Sequence, residues 1–218
     1  MLLPALSKAK EKAREVSCQS NLKQLNVMFQ NYVIDFKDWL PHRNNTNKSA
    51  ASWINRMITD LKYISNNNTS FLICPSHGMS EQTRWYIVVQ KNEGYINLLS
   101  YGYNEHLGCS NFYGGTAVPY LPSAKMTEVK TPASTILLGE SRLGSDRLKG
   151  HNYLCSRPNF ADSGNGFLRV SHQLYTNILW LDGHVMHYKV GSESTAYTYD
   201  PFRFGDSVGN ASNYWDRK

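Results

Sequence analysis

Cys18, Leu22, Leu25, Phe29, Tyr32 and Phe36 recur at alternating spacings of four and three. That is the period of a helix with one buried face, so these residues are expected to form the core face of a long N-terminal helix. N-terminal to Cys18 the pattern changes. Leu6, Ala9, Ala13 and Val16 fall out of phase with the stripe and are surrounded by Lys8, Lys10, Glu11, Lys12, Arg14 and Glu15. This half is expected to be solvated or to bridge a gap. From Ala5 to Phe36 such a helix would reach roughly 45 Å, longer than a domain of this size needs to cover its core. Residues 1–40 are therefore read as a stalk and core helix, and residues 41–218 as the globular part that completes one domain with the helix's second half.

After Pro41 the period shortens. Residues 51–63 predict a short helix with Trp53, Met57, Leu61 and Ile64 on one side. Short apolar runs bounded by Gly, Pro and Asn at 71–74, 85–89, 96–103, 135–138, 178–181 and 185–190 predict strands. Asp182-Gly183 between the last two is expected to supply both positive-φ positions of a type I′ hairpin turn. Residues 139–166 have little periodicity and read as a long surface excursion. The tail over 191–218 carries Tyr197, Tyr199, Phe202, Phe204, Tyr214 and Trp215, expected to cover a sheet edge or meet a neighbouring subunit. Helices followed by a meander of strands predict an α+β domain, the long helix laid on an antiparallel sheet with long loops.

Several blocks carry a resemblance. The opening MLLPALSKAKEKAREVSCQSNLKQL, with the Phe, Tyr, Asp and Trp-Leu-Pro that follow, resembles the segment after the hydrophobic N-terminal helix of prepilin-type, pseudopilin-like proteins of the general (type II) secretion and type IV pilus class. FLICPS at 71–76, SYGYNEHLG at 100–108 and TPASTILLGES at 131–141 resemble later blocks of one subgroup. That subgroup also has a histidine, nine residues and then Asp-Gly, matched here by His172 and Asp182-Gly183. The family's leader, its processing site and about twenty apolar residues are not found in this sequence. The chain is accordingly expected to be the soluble part of a longer anchored protein. The resemblance implies a pilin fold and a non-enzymatic structural subunit. It implies an inner-membrane anchor, a periplasmic or extracellular globular domain, and maturation by a prepilin peptidase with N-terminal methylation. Its partners would be other pilin or pseudopilin subunits and the secretion or pilus assembly machinery.

The cysteines Cys18, Cys74, Cys109 and Cys155 allow three complete pairings. They lack the close Cys-x-x-Cys pairs of zinc ribbons and thioredoxin-like sites, which argues against a cysteine metal centre. In an exported domain the expected state is disulfide. Cys18 with Cys74 is the best placed pair, because Cys18 opens the buried stripe and Cys74 closes an apolar run that can pass beneath it. The alternative is that both are free, buried small hydrophobes.

His172, Asp182, His184 and His187 form the constellation most able to bind metal or move protons. In the predicted strand His184 and His187 point to opposite faces, which excludes both from one mononuclear site. Asp182 is accounted for by the turn, and His172 is expected to bond the Asp182 carboxylate or a nearby backbone carbonyl and pin the hairpin. The chain has no Gly-x-Ser-x-Gly elbow, phosphate loop or His-Glu-x-x-His motif. No catalytic residue, metal or cofactor is assigned, and no acidic cluster supports the calcium site known in related secretion pseudopilins. The net charge of +6 is not gathered into a stripe, and Lys8 to Arg14 reads as a solvated helix face, so nucleic-acid binding is not expected. The rival reading is a carbohydrate- or other ligand-binding module on a pilin-like anchor, drawing on the fourteen Tyr and five Trp. A metal-dependent enzyme ranks below it.

Overall fold

A computed structural model describes residues 2–42, 53–64, 69–77, 99–108, 112–113, 116–117, 123–143, 150–154 and 166–190. Cys109, Cys155, the 85–89 run and the aromatic tail lie outside the described residues. The first element is α1 (Leu2–Asp35), 34 residues long, about 51 Å at the usual rise. Pro4 sits in its first turn and no Pro or Gly follows before Asp35, so nothing in its interior breaks the backbone ladder. The helix stops where Lys37 and Asp38 take φ of 52° and 76°. The Asp38 N–H then closes on the Val33 carbonyl at 2.9 Å, a closure that satisfies one of the last helical carbonyls.

A helical turn (Trp53–Asn55) continues into a wider π turn over Arg56–Asp60. It replaces the regular helix expected there but buries Trp53, Met57 and Ile64 as anticipated. Residues 71–74 are not a strand. Ser70–Leu72 form a 3-10 turn, and the turn still carries Cys74 under α1. There Cys18 and Cys74 form a disulfide, with Cα atoms 5.2 Å apart and 56 positions between them in sequence. Closing a loop of that length is worth about 4 kcal/mol in the chain-entropy account.

The strands are β1 (Tyr101–Asn104), β2 (Phe112–Tyr113), β3 (Thr116–Ala117), β4 (Ile136–Leu143), β5 (Tyr153–Leu154), β6 (Gly166–Leu168), β7 (Tyr175–Trp180) and β8 (Val185–Lys189). The main sheet has the order β5-β1-β4-β7-β8, with β6 pairing along β4. Its pairings are antiparallel except β1 with β5, which is parallel. The sheet is therefore mixed, where an antiparallel one was expected. The fold is α+β, with α1 laid across one face.

The predicted surface excursion begins later than expected, because β4 runs on through Gly139 and Glu140 to Leu143. Backbone pairing with β1, β6 and β7 carries it past a charged residue that breaks the apolar run. A register shift between Ile136 and Leu138 against β7 marks a bulge. It leaves both Leu137 and Leu138 in the helix-side core. That core joins the α1 stripe to Trp53, Tyr101, Tyr103, Leu179 and Leu181. Phe29, Trp53 and Tyr103 form its aromatic centre, with ring centroids 5.2 to 5.9 Å apart. Phe36 is only partly buried, stacked on Tyr32 just past the helix end. The opposite face carries a smaller cluster of Ile136, Leu154, Leu168, Ile178 and Trp180.

Asp182-Gly183 is not a type I′ turn. Gly183 alone has positive φ, 94°, and its N–H bonds the Trp180 carbonyl while Trp180 N–H bonds His184 O. This is a three-residue loop with glycine at the left-handed position. The type I′ geometry occurs one loop earlier, at Gln173 and Leu174 with φ of 50° and 76°, between the paired His172 and Tyr175.

Replacing Leu22, Leu25 or Phe29 by Ala should cost about 2 to 5 kcal/mol, whereas Lys10→Ala, on the exposed part of α1, should stay within about 0.5 kcal/mol. Chemical denaturation of the four variants checks this, and equal losses would contradict the division of the helix. Gly183→Val should cost about 1 to 2 kcal/mol or more. Its φ is left-handed and a Cβ there would meet Asn26 Nδ2 at 2.7 Å.

Candidate functional site

The α1 stripe does not end at Cys18. Glu11 and Glu15 continue its spacing of four and three toward the N-terminus, and they too face the sheet. Glu15 is buried and Glu11 partly so, while residues 3–10 are exposed. The expected solvated half is thus docked along one face as far as Glu11. What it docks on is a polar row that crosses the sheet. Tyr101 pairs with Glu140 across β1 and β4, and Asn177 pairs with His187 across β7 and β8. The helix answers three of the four. Asn21 Nδ2 donates to Tyr101 Oη at 3.1 Å, Gln19 Nε2 donates to Asn177 Oδ1 at 3.2 Å, and Glu15 Oε2 lies 3.5 Å from His187 Nε2.

His172 sits at the centre of this layer, 2% exposed. Its Nε2 is 2.8 Å from Glu140 Oε1 and its Nδ1 is 2.9 Å from Glu11 Oε1. Each ring nitrogen thus faces a carboxylate oxygen, and a protonated ring donates to both. The expected bond to Asp182 is absent, and that carboxylate lies 2.6 Å from His184 Nδ1 at the exposed hairpin tip. The reason is the hairpin's shape. The left-handed pair Gln173-Leu174 turns His172 inward over β4 rather than along the strand toward the tip.

Glu140 has no exposed surface. Its Oε2 accepts from the Asn177 backbone N–H at 3.2 Å and its Oε1 from Asn177 Nδ2 at 3.0 Å. Glu11 in turn accepts from Ser76 Oγ at 2.7 Å. The Cys74 sulfur lies 3.5 Å from His172 Nε2 and 3.6 Å from Glu140 Oε1. A cavity of about 410 Å³ opens on the outer side of the His172 ring, lined by Lys8, Glu11, Lys12, Glu15, Tyr175 and His187 among others.

The sequence constellation is therefore divided. His172 and His187 come together, with ring centroids 6.3 Å apart. His184 and Asp182 stay together elsewhere, His184 stacked on Trp180. Two members, Glu140 and Glu11, were not anticipated. A lone carboxylate inside TILLGES and the unbroken phase from Glu11 to Leu22 were the available signals.

Burial alone would push the His172 imidazole down, but the hydrogen bond and charge of Glu140, then those of Glu11, outweigh it and hold the ring above 6.5. Burial likewise works to raise Glu11, yet Ser76, His172 and Arg14 hold it below 4.5. Burial keeps His187 below 6.5, with Glu15 offsetting part of the effect. The arrangement places an imidazole between two carboxylates and beside a disulfide.

No family model matches the chain, and no curated protein and no solved structure is significantly similar to it.

Removing His172 leaves the Glu140 carboxylate buried without a counter-charge, so His172→Ala should cost about 3 to 5 kcal/mol. The contribution depends on pH. A histidine held above its unfolded value of 6.5 stabilises fully below that pH and loses the effect as pH rises through the folded value. His77, pushed down to about 3 by burial and then by Arg169, has the opposite sign and weakens the fold as pH falls below 6.5. The stability gap between wild type and His172→Ala, measured on the disulfide-bonded chain, is thus expected to narrow as pH rises from 6.5. A gap that widens would contradict the ion-pair account.

Proposed function

We propose that this chain is the globular part of a pilin-like structural subunit of a type II secretion pseudopilus or type IV pilus-like filament. In this reading α1 continues N-terminally into an apolar inner-membrane anchor that bundles with other subunits, and the sheet domain faces the periplasm or the exterior. The observation that carries the reading is the reach of α1. The helix is 34 residues long, but residues 3–10 are all exposed, Leu3 and Leu6 at 81% and 67%. A helix that outruns its own sheet by two turns or more has its remaining length free for other chains.

A second feature supports it. Val16, Val27 and Ile34, exposed at 54%, 59% and 75%, are spaced by eleven and seven and so share the outer face of α1, opposite the core stripe. That ridge suits packing against a neighbouring helix. Among the described residues no helix is long and apolar enough to cross a membrane, so the anchor of this proposal lies outside them. The Glu11–His172–Glu140 group then has a structural task, fixing helix to sheet.

The reading is tested by tagging the protein at its chromosomal locus, fractionating the cells and shearing their surface. Recovery with the inner membrane and in sheared filaments is expected, and Val27→Lys/Ile34→Lys should lower the filament fraction at least tenfold with an unchanged melting temperature. Recovery only as a cytosolic monomer would overturn it.

A further inference from the structure

Cys18, Cys74, Glu140 and His172 each present one ligand-type atom, and the four atoms lie within 4.8 Å of one another. They come from four separate elements, α1, the turn after Ser70–Leu72, β4 and the loop before β7. All four residues are buried. A tetrahedral zinc ion, with bonds of about 2.3 Å to sulfur and about 2.1 Å to nitrogen or oxygen, holds a sulfur and a neighbouring light ligand about 3.6 Å apart. The Cys74 sulfur already stands 3.5 Å from His172 Nε2 and 3.6 Å from Glu140 Oε1. We propose that the dithiol form of this chain binds a divalent ion of the zinc class through Cys18 Sγ, Cys74 Sγ, His172 Nε2 and a Glu140 oxygen, ion and disulfide being alternative occupants of one site.

The surroundings are those a metal centre needs. A ligating histidine is oriented by a carboxylate on its other ring nitrogen, and ligating carboxylates are themselves hydrogen-bonded. His172 Nδ1 has Glu11, which Ser76 and Arg14 hold in turn. Glu140 has the Asn177 backbone and side chain. The cavity lined by Glu11, Glu15 and His187 is lined by His172 as well.

The exchange balances. A dithiol reductant passes two electrons to the Cys18–Cys74 bond, each sulfur takes up one proton, and the reductant becomes a disulfide. Binding the ion displaces both thiol protons and the Nε2 proton of His172 to solvent, and lone pairs on the two sulfurs, Nε2 and the carboxylate form the four bonds. The Cys Cα atoms, 5.2 Å apart, let the sulfurs separate by side-chain rotation. The inference is independent of the filament reading.

The test titrates Co²⁺ into the full chain after anaerobic reduction by a dithiol and its removal. One equivalent should produce sulfur-to-cobalt charge-transfer bands with the intense visible absorption of a four-coordinate site, and Zn²⁺ should displace it. The disulfide-bonded chain should give neither. Cys109→Ser/Cys155→Ser should bind as wild type does, and Glu11→Gln, which alters only the group orienting His172, should weaken binding about ten- to a hundredfold. A chelator should lower the melting temperature of the zinc-loaded dithiol chain and leave the disulfide form unmoved. If the reduced chain loses its native circular dichroism, metal must restore it, and failure to do so counts against the site. Bands that persist in Cys18→Ser/Cys74→Ser, or a folded dithiol chain that gives none, would overturn the proposal.

Discussion

A carboxylate without exposed surface at the middle of a sheet must be answered by charge and hydrogen bonds, or it would not remain there. Glu140 is answered from β7 and the turn that leads into it. Asn177 on β7 gives both its backbone and its side-chain donors, and His172 gives the counter-charge. Much of the local architecture follows from that demand. The chain before β7 adopts left-handed φ at two non-glycine residues, Gln173 and Leu174, a strain of order 1 kcal/mol or more each. The return is that His172 is aimed at β4. Its second nitrogen then fixes Glu11, and with it the level at which α1 meets the sheet.

The helix and sheet consequently meet through two kinds of contact. From Leu22 to Tyr32 the interface is apolar and close-packed, which supplies most of the attraction. From Glu11 to Asn21 it is a series of matched polar pairs. An apolar stripe, being non-directional, admits a shift of one helical turn at the cost of repacking leucines against aromatics. The polar pairs do not, because such a shift would leave Glu140 and the buried ring facing the wrong groups. Attraction and register thus reside in different halves of one helix, with Cys18 at the junction.

The apolar half was legible because hydrophobic period reports burial directly, and Cys18, Leu22, Leu25, Phe29 and Tyr32 are all buried as their spacing implied. The same period singled out Cys18 and Cys74 as the best placed pair, and the structure decides for the bridge over two free thiols. Glu11 and Glu15 were hidden by chemistry rather than by position, because their phase was right and their polarity was taken to mean solvent. β4 was cut short at Gly139, where the apolar run stops and periodicity is lost, although the strand continues through Glu140 to Leu143. What holds Glu140 inside the sheet was out of sight, because its His172 partner is 32 positions away. The hairpin tip shows another limit. Asp-Gly fits several turns, and the choice depends on loop length, which in turn depends on the register of β7 against β8. The absence of Cys-x-x-Cys spacing said nothing about the side chains that the fold gathers around the two sulfurs.

The disulfide also gives the molecule a mechanical direction. Tension applied along α1 from its N-terminal end meets exchangeable polar contacts at Glu11 and Glu15 and then a covalent link at Cys18, before any apolar residue from Leu22 onward is loaded. Force leaves the helix there and passes to the segment around Cys74, whose neighbour Leu72 bonds to Ser100 at the start of β1. The apolar interface is thereby shielded from shear. Opening this one bond would reroute the same pull through Leu22 and Leu25, so the redox state of two sulfurs decides whether the domain carries load as a bolted joint or as a sliding one.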